Sequence, residues 1–432
     1  MQAPRHESDP TPRGAEIAVH GRLYRRFWRW HFFAALLVVP FVLWQSVTGS
    51  LYLWSYVWMD VRDPELRFVV PSDAVAPVSA QLRAAFAAEP DAALVEIRLP
   101  DGADRSTTLL LQQSDGLVRP IFIDPHGPRV LGSLDAVSWL PGITRNLHGG
   151  WPLGAPGSWL LELGACWAMV MIVSGLYLWW PRTTGWLRAL WPRTNGGARV
   201  FWRDLHACVA AWFSLLILSF LISALPWTEF WGGQVLRPIQ QQLNQQNPAG
   251  FSPGGASLGA AVLAGRALDR IVAAARQDGV VGTLQIRLGA APNSDWWIHN
   301  ADSPPGQDRY LIADRYSGEI KANIHGSDNP VMARLIDAGV HLHQGDYGAI
   351  NRWGNTAVAA ALIWMTVTGL VSWWRRRPKG AVGVPTRSDV ALPRMLIAAA
   401  VIACAVLPLL GMSVAVLWLG DVLATRVADT SS

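Results

Sequence analysis

Four of the ten histidines in this 432-residue chain stand at the ends of long apolar runs: His31, His148, His206 and His343. An ionisable side chain in such a place is costly and is kept for a use. A neutral imidazole has one bare ring nitrogen and is a common metal ligand. The four are spaced as two sets. "FWRWH" ends at His31 and "FWRDLH" ends at His206, and 18 residues separate His31 from Gly49 and His206 from Ala224. "NLHGGWPLG" contains His148 and "HLHQGDYGA" contains His343, with 27 residues from His148 to Gly175 and 26 from His343 to Gly369. The pattern pairs His31 with His206 and His148 with His343. Two imidazoles opposed across a helical bundle can hold a haem iron from both faces. No C-x-x-C-H stretch is present, so such a haem would be held non-covalently. His341 competes with His343. The repeat favours His343, because it and His148 each follow Leu and precede Gly at once or one residue later.

The elements that must position these residues are membrane helices. The chain is 51% hydrophobic, has 24 Trp, and is only 16% charged, below the ~25% of soluble domains. Residues 32–59, 163–180, 205–228, 353–374 and 395–420 contain no Asp, Glu, Lys or Arg, and a spanning helix needs about 20 apolar residues. "LYLWSYVW", "LYLWWPR" and "VSWWRRRP" place aromatic residues at the ends of the runs, as in an interfacial belt. Six Arg in 1–31, five in 181–204, and five Arg with one Lys in 375–394 put those segments on the cytoplasmic side. The net charge of +5 is then mostly topology, and no nucleic-acid partner is expected. No signal peptide is evident, since the first apolar run is too long and lacks a small-residue cleavage site. Cys166, Cys208 and Cys404 all fall in apolar spans with no C-x-x-C pair, which argues against disulfides and thiolate zinc.

The expected order is a cytoplasmic tail (1–27), spans at 28–59, 156–180, 205–228, 351–374 and 395–420, outer segments 60–155 and 229–350, cytoplasmic loops 181–204 and 375–394, and an outer tail 421–432. The outer segments repeat as well. "SAQLRAAFAA" is followed by "LVEIRLP", "STTLLLQ" and "PIFIDPHGPRVLG"; "AGRALDRIVAAARQ" is followed by "TLQIRLG", "DWWIHN" and "YLIADRYSGEIKA". Each reads as a helix and three strands, with "DPHGPR" and "DRYSGE" as hairpin turns in which Gly supplies the positive φ. Residues 240–258 read as a polar loop. The fold class is thus a polytopic α-helical membrane protein. Its four-helix core comes from two repeats running the same way and related by an axis along the membrane normal. A fifth helix has no counterpart, and two α+β modules lie outside.

A histidine near the start of each odd span, "LHGG" or "LHQG" before each even span, "SGLYLWWPR" closing the second span, and a helix–strand unit ending in "DP..G.VLG" resemble the PepSY-associated transmembrane family, over about residues 20 to 380. Two departures are Pro128–Arg129, where the family usually carries Glu-Val or similar, and the added fifth helix. The resemblance implies a bacterial inner-membrane protein of iron uptake, similar to a ferrioxamine (siderophore) reductase. It implies four core helices, two outer PepSY modules, and two b-type haems ligated by His31, His206, His148 and His343.

Bland readings stand beside the sharp ones. A lone histidine could be structural, and His31 could mark the interface beside Arg29. Gly49, Gly175 and Gly369 could let a porphyrin lie on the backbone or serve plain helix packing. Arg145, Arg352 and Arg375 to Arg377 could pair with haem propionates or be topology signals. His341 reads as an exposed neighbour or a group near the propionates. His126, His299 and His325 read as surface residues that could touch a ferric substrate, and His6 and His20 as uninvolved. No P-loop and no H-E-x-x-H is present, and the cytoplasmic loops are too short for a βαβ nucleotide domain. The electron donor would be a membrane quinol or a separate cytoplasmic reductase, and the resemblance implies a ferric siderophore or other ferric chelate as the acceptor. Rival readings are a haem-free scaffold whose outer modules bind peptide or regulate a protease, and a transporter subunit.

Overall fold

The computed structural model describes residues 12–150, 152–182, 185–247, 266–288, 294–301, 303, 306–386, 388 and 390–430. His6 and residues 248–258 of the expected loop lie outside them. In chain order the elements are α1 (Pro12–Arg62), α2 (Pro64–Arg67), α3 (Val78–Ala88), β1 (Ala93–Leu99), β2 (Thr107–Gln112), β3 (Val118–Asp124), β4 (Arg129–Ser133), α4 (Leu140–Gly149), α5 (Ala155–Trp179), α6 (Trp186–Ala189) and α7 (Gly197–Ala224). There follow α8 (Arg237–Gln242), α9 (Ala267–Gln277), β5 (Thr283–Leu288), β6 (Trp296–Ala301), β7 (Arg309–Ala313), β8 (Ile320–His325), α10 (Val331–Gln344), α11 (Ala349–Arg376), α12 (Arg394–Val406) and α13 (Pro408–Thr430). The chain forms two compact units, one of residues 1–47, 153–232 and 356–432, the other of residues 48–152 and 233–355.

The first unit is helical. Gly21–Arg62 of α1, α5, Gly197–Trp227 and α11 are long and apolar enough to cross a membrane. The apolar run 395–420 is not the single helix expected. It breaks into α12 and α13 at Leu407, whose φ of −117° and ψ of 82° leave the helix. The cause is Pro408, which disfavours the helical conformation in the residue before it. Thirteen residues reach about 20 Å, short of the ~30 Å hydrocarbon core. The break is packed: Leu407 and Leu410 join Cys166, Met169 and Leu225 in one apolar cluster. Trp167 Nε1 donates to Ser413 Oγ at 3.0 Å and Trp231 Nε1 to Val406 O at 2.8 Å, so each polar ring atom is satisfied. Glu162 is buried and accepts from the backbone N–H groups of Phe230 and Trp231.

The second unit is built on one eight-stranded sheet, ordered β4-β3-β2-β1-β5-β6-β7-β8. Each half supplies four strands rather than three, because each segment that carries a hairpin turn makes two. At Asp314 the turn is as expected: Asp314 Oδ1 accepts from Ser317 N at 2.8 Å and Gly318 has φ +72°. Gly127 of the other turn does not take a positive φ. Pro128 follows it, and a residue before proline is pushed toward extended backbone. The halves join through antiparallel β1 and β5, with Ile97 opposite Ile286. One face of the sheet packs on α3 and α9 around Leu82, Ile97, Leu109, Ile271, Ile286 and Ile298. Alternation of buried and half-exposed residues along β5 and β6 is what a one-sided core requires. In the first half the other face is also covered, by Met59, Leu66 and Trp139 against Leu110 and Phe122. That is why five of the six residues of β2 are buried.

Candidate functional site

His148 and His343 lie on α4 and α10, and both helices end in the same way. Each stops at a left-handed glycine, Gly150 (φ 114°) or Gly345 (φ 82°), whose N–H bonds back to Asn146 O or His341 O. Glycine takes this conformation without the penalty a Cβ would bring. Both histidines precede their glycine by two residues, so each projects from the same position of a terminal turn. Around His343 the chain end is held further: Asn355 Nδ2 donates to Leu342 O at 2.7 Å and to His343 O at 3.0 Å, and Asn351 Nδ2 to Leu342 O at 2.9 Å. The two rings face one another with centroids 6.3 Å apart and planes at 47°. A metal ion between two imidazoles needs about 2 Å to each nitrogen, and each ring centre lies about 1 Å behind its nitrogen, so centroids stand about 6 Å apart.

His341, two residues from His343, has different partners. Its Nδ1 is 3.0 Å from Asp346 Oδ2 and its Nε2 3.2 Å from Asp308 Oδ1, so both nitrogens are engaged by carboxylates. Hydrogen bonds to Asp308 and Asp346, against the smaller effect of burial, push its pKa up to about 10. Asp308 is held well below the usual carboxylate range: burial works to raise it, but His299 and His341 outweigh burial. His299 is stacked on Tyr310 at 4.8 Å. His126 bridges the carbonyls of Ala74 and Ala103 at an exposed loop, and His325 meets Arg309.

His31 on α1 and His206 on α7 fall in the helical unit, close enough to interact electrostatically. His31 Nδ1 meets Ser174 Oγ at 3.0 Å, and the ring also bonds the backbone of Met171. His206 Nδ1 meets Met365 O at 2.9 Å and Thr368 Oγ1 at 3.3 Å. In the other unit His148 Nδ1 meets Thr48 Oγ1 at 3.1 Å. The neighbouring glycines face the same rings. A Cβ on Gly49 would lie 2.9 Å from His148 Cε1, on Gly175 3.2 Å from His31 Cε1, and on Gly369 3.3 Å from His206 Cε1. The hydroxyls were not singled out from the sequence. Their signal is present in it: "VTG", "VSG" and "VTG" end at Gly49, Gly175 and Gly369.

Several arginines meet aromatic residues on the helices that carry the site. Arg98 and Arg145 lie within electrostatic reach of Tyr52, one turn beyond Thr48 on α1. The Arg352 guanidinium stands 5.7 Å from the Trp54 ring, and Trp54 is 4.8 Å from Trp353. Arg376 lies over Trp28 at 4.2 Å and Arg377 over Trp374 at 3.5 Å.

No curated protein matches the chain. A family model described as the PepSY-associated TM region matches residues 28–376, a span that takes in most of the first candidate membrane helix, all of the other three, and His31, His148, His206 and His343. The chain belongs to the PepSY-associated transmembrane family.

Proposed function

We propose that this chain is an inner-membrane di-haem b electron-transfer protein that reduces a ferric siderophore or other ferric chelate on the periplasmic side. The observation that carries this reading is the 6.3 Å separation of the His148 and His343 rings. A second supports it. Among the described residues no group of three or more His, Cys, Asp or Glu could hold a metal ion. A metal between two imidazoles would need its remaining ligands from elsewhere, and the macrocycle of a haem supplies four. His148 and His343 would hold the outer haem and His31 and His206 the inner one, with the N-terminus cytoplasmic and the sheet formed by two PepSY modules of a parallel repeat. A haem bound in each site supplies a reversible one-electron couple.

The protein's own groups orient the imidazoles, and Arg145 and Arg352 offer cations for the anionic edge of the outer group. A membrane quinol or a separate cytoplasmic reductase gives up the electron, and the Fe(III) of the chelate takes it to become Fe(II). Hard oxygen ligands hold Fe(II) less firmly, so the metal is released. The test is a visible spectrum with haem quantitation on purified protein, followed by reoxidation. Two haems per chain are expected, and reduced protein in liposomes should be reoxidised by ferric chelates added on the side of the sheet. Absence of a Soret band would sink the reading.

A further inference from the structure

We infer that the steps Thr48–Gly49, Ser174–Gly175 and Thr368–Gly369 are imidazole rests, positioning residues that meet the Nδ1 of His148, His31 and His206, so that Nε2 is the nitrogen each ring would offer to iron. The inference rests on the di-haem reading and goes beyond it, by naming the groups that decide how each ligand is presented.

The argument starts from hydrogen-bond bookkeeping. A carbonyl oxygen can only accept. His206 Nδ1 is 2.9 Å from Met365 O, so Nδ1 carries the proton and Nε2 keeps its lone pair. The Thr368 hydroxyl gives its own hydrogen to Trp364 O at 2.8 Å, so toward the ring it acts as an acceptor. His31 repeats the arrangement. It bonds the backbone of Met171 and sits 3.0 Å from Ser174 Oγ, while that hydroxyl donates to Met171 O at 3.0 Å. The two stations use the same offsets, Met171 to Ser174 to Gly175 and Met365 to Thr368 to Gly369. At the third station Thr48 Oγ1 lies 3.1 Å from His148 Nδ1.

The glycine completes each rest. With a Cβ at Gly49 only 2.9 Å from His148 Cε1, alanine would push the ring away. Serine or threonine directly followed by glycine therefore does two jobs: the hydroxyl fixes the ring's rotation, and the missing side chain sets its approach. A plain packing role explains neither the hydroxyl geometry nor its recurrence at three histidines on different helices. An acceptor at Nδ1–H also strengthens the imidazole as a donor through Nε2, which favours the ferric state.

The test uses the full-length protein in nanodiscs, with Thr48→Val, Thr368→Val, the rescue variants Thr48→Ser and Thr368→Ser, and Gly369→Ala. Redox titration and low-temperature paramagnetic resonance of the low-spin ferric haems are read, not turnover. Thr368→Val and Gly369→Ala should change the resonance of the inner haem, and Thr368→Val should raise its midpoint potential. The outer haem should stay as in the parent. Thr48→Val should do the converse, and both serine variants should return toward the parent values. Unchanged signatures in the valine variants, with two haems present, would overturn the positioning role and leave the di-haem reading standing. Equal loss of both haems from a valine variant would mark the hydroxyls as general structure and overturn it as well. A parent protein without haem would instead bring down the reading beneath it.

Discussion

At the scale of the residue, position on a terminal turn separates two histidines that composition cannot distinguish. His341 spends both ring nitrogens on Asp308 and Asp346, whereas His343 faces His148. His341→Gln should therefore keep two haems per chain, while His343→Ala and His148→Ala should each damage the same outer haem, with the double variant losing about one haem and not two. Pyridine haemochrome assay checks this; loss of haem from His341→Gln with retention in His343→Ala would shift the assignment by two residues. The ion pairs of His341 also carry a pH dependence. Its pKa in the fold is about 10 against an ordinary 6.5. The stabilisation is complete below the ordinary value and is lost as pH rises through the raised one. Backbone exchange around Gly345 and Asp346 should quicken as pH approaches that value, after correction for intrinsic rates. In His341→Gln the extra quickening should vanish.

At the scale of the element, the join between β1 and β5 depends on a buried charge cluster. Glu96 on β1 is 3% exposed and pairs with Arg98 and with Arg287 of β5. Burial works to raise its pKa, but the two guanidinium groups outweigh burial and hold it below the ordinary 4.5. Removing one partner of such a cluster strands the others, at a cost of about 3–5 kcal/mol. Glu96→Gln should lower the thermal midpoint of the sheet unit at neutral pH. A depressed carboxylate contributes its stability above the unfolded value and loses it as pH falls through the folded one. The gap between parent and variant should therefore narrow in acid, as followed by circular dichroism in the strand region. A gap that stays constant would mean the pairing contributes nothing specific.

At the scale of the whole molecule, arginine is placed unevenly along the chain. Five Arg lie in 181–204, and short cytoplasmic segments collect such charge. Reporter fusions at residues 190 and 280 should fall on opposite sides of the membrane, with 190 cytoplasmic. The same side for both would overturn the span assignment. The element order of helix and four strands occurs twice, and one strand of each set pairs with the other set. This joins the halves through backbone hydrogen bonds as well as through side chains.

The four long apolar helices and the histidines at their edges could be read directly from the chain, because uncharged runs of membrane length and the residues that flank them are local features. Strand count was less accessible. A segment that reverses at Asp124 or Asp314 reads as one strand with a turn, and only pairing shows two. The β1–β5 join was not legible at all, since partner choice between strands some 190 positions apart leaves no local periodicity. The break at Leu407 was present in the sequence as Pro408, but an apolar run carries no sign of bending unless the residue before proline is weighed. The repeat favours His343 over His341, while the partner of His341 Nε2 is Asp308, more than 30 positions away. The hydroxyls at Thr48, Ser174 and Thr368 belong to helices other than those of the histidines they meet. Helical spacing reveals which residues share a face of one helix; which face meets which partner is decided only when the helices pack.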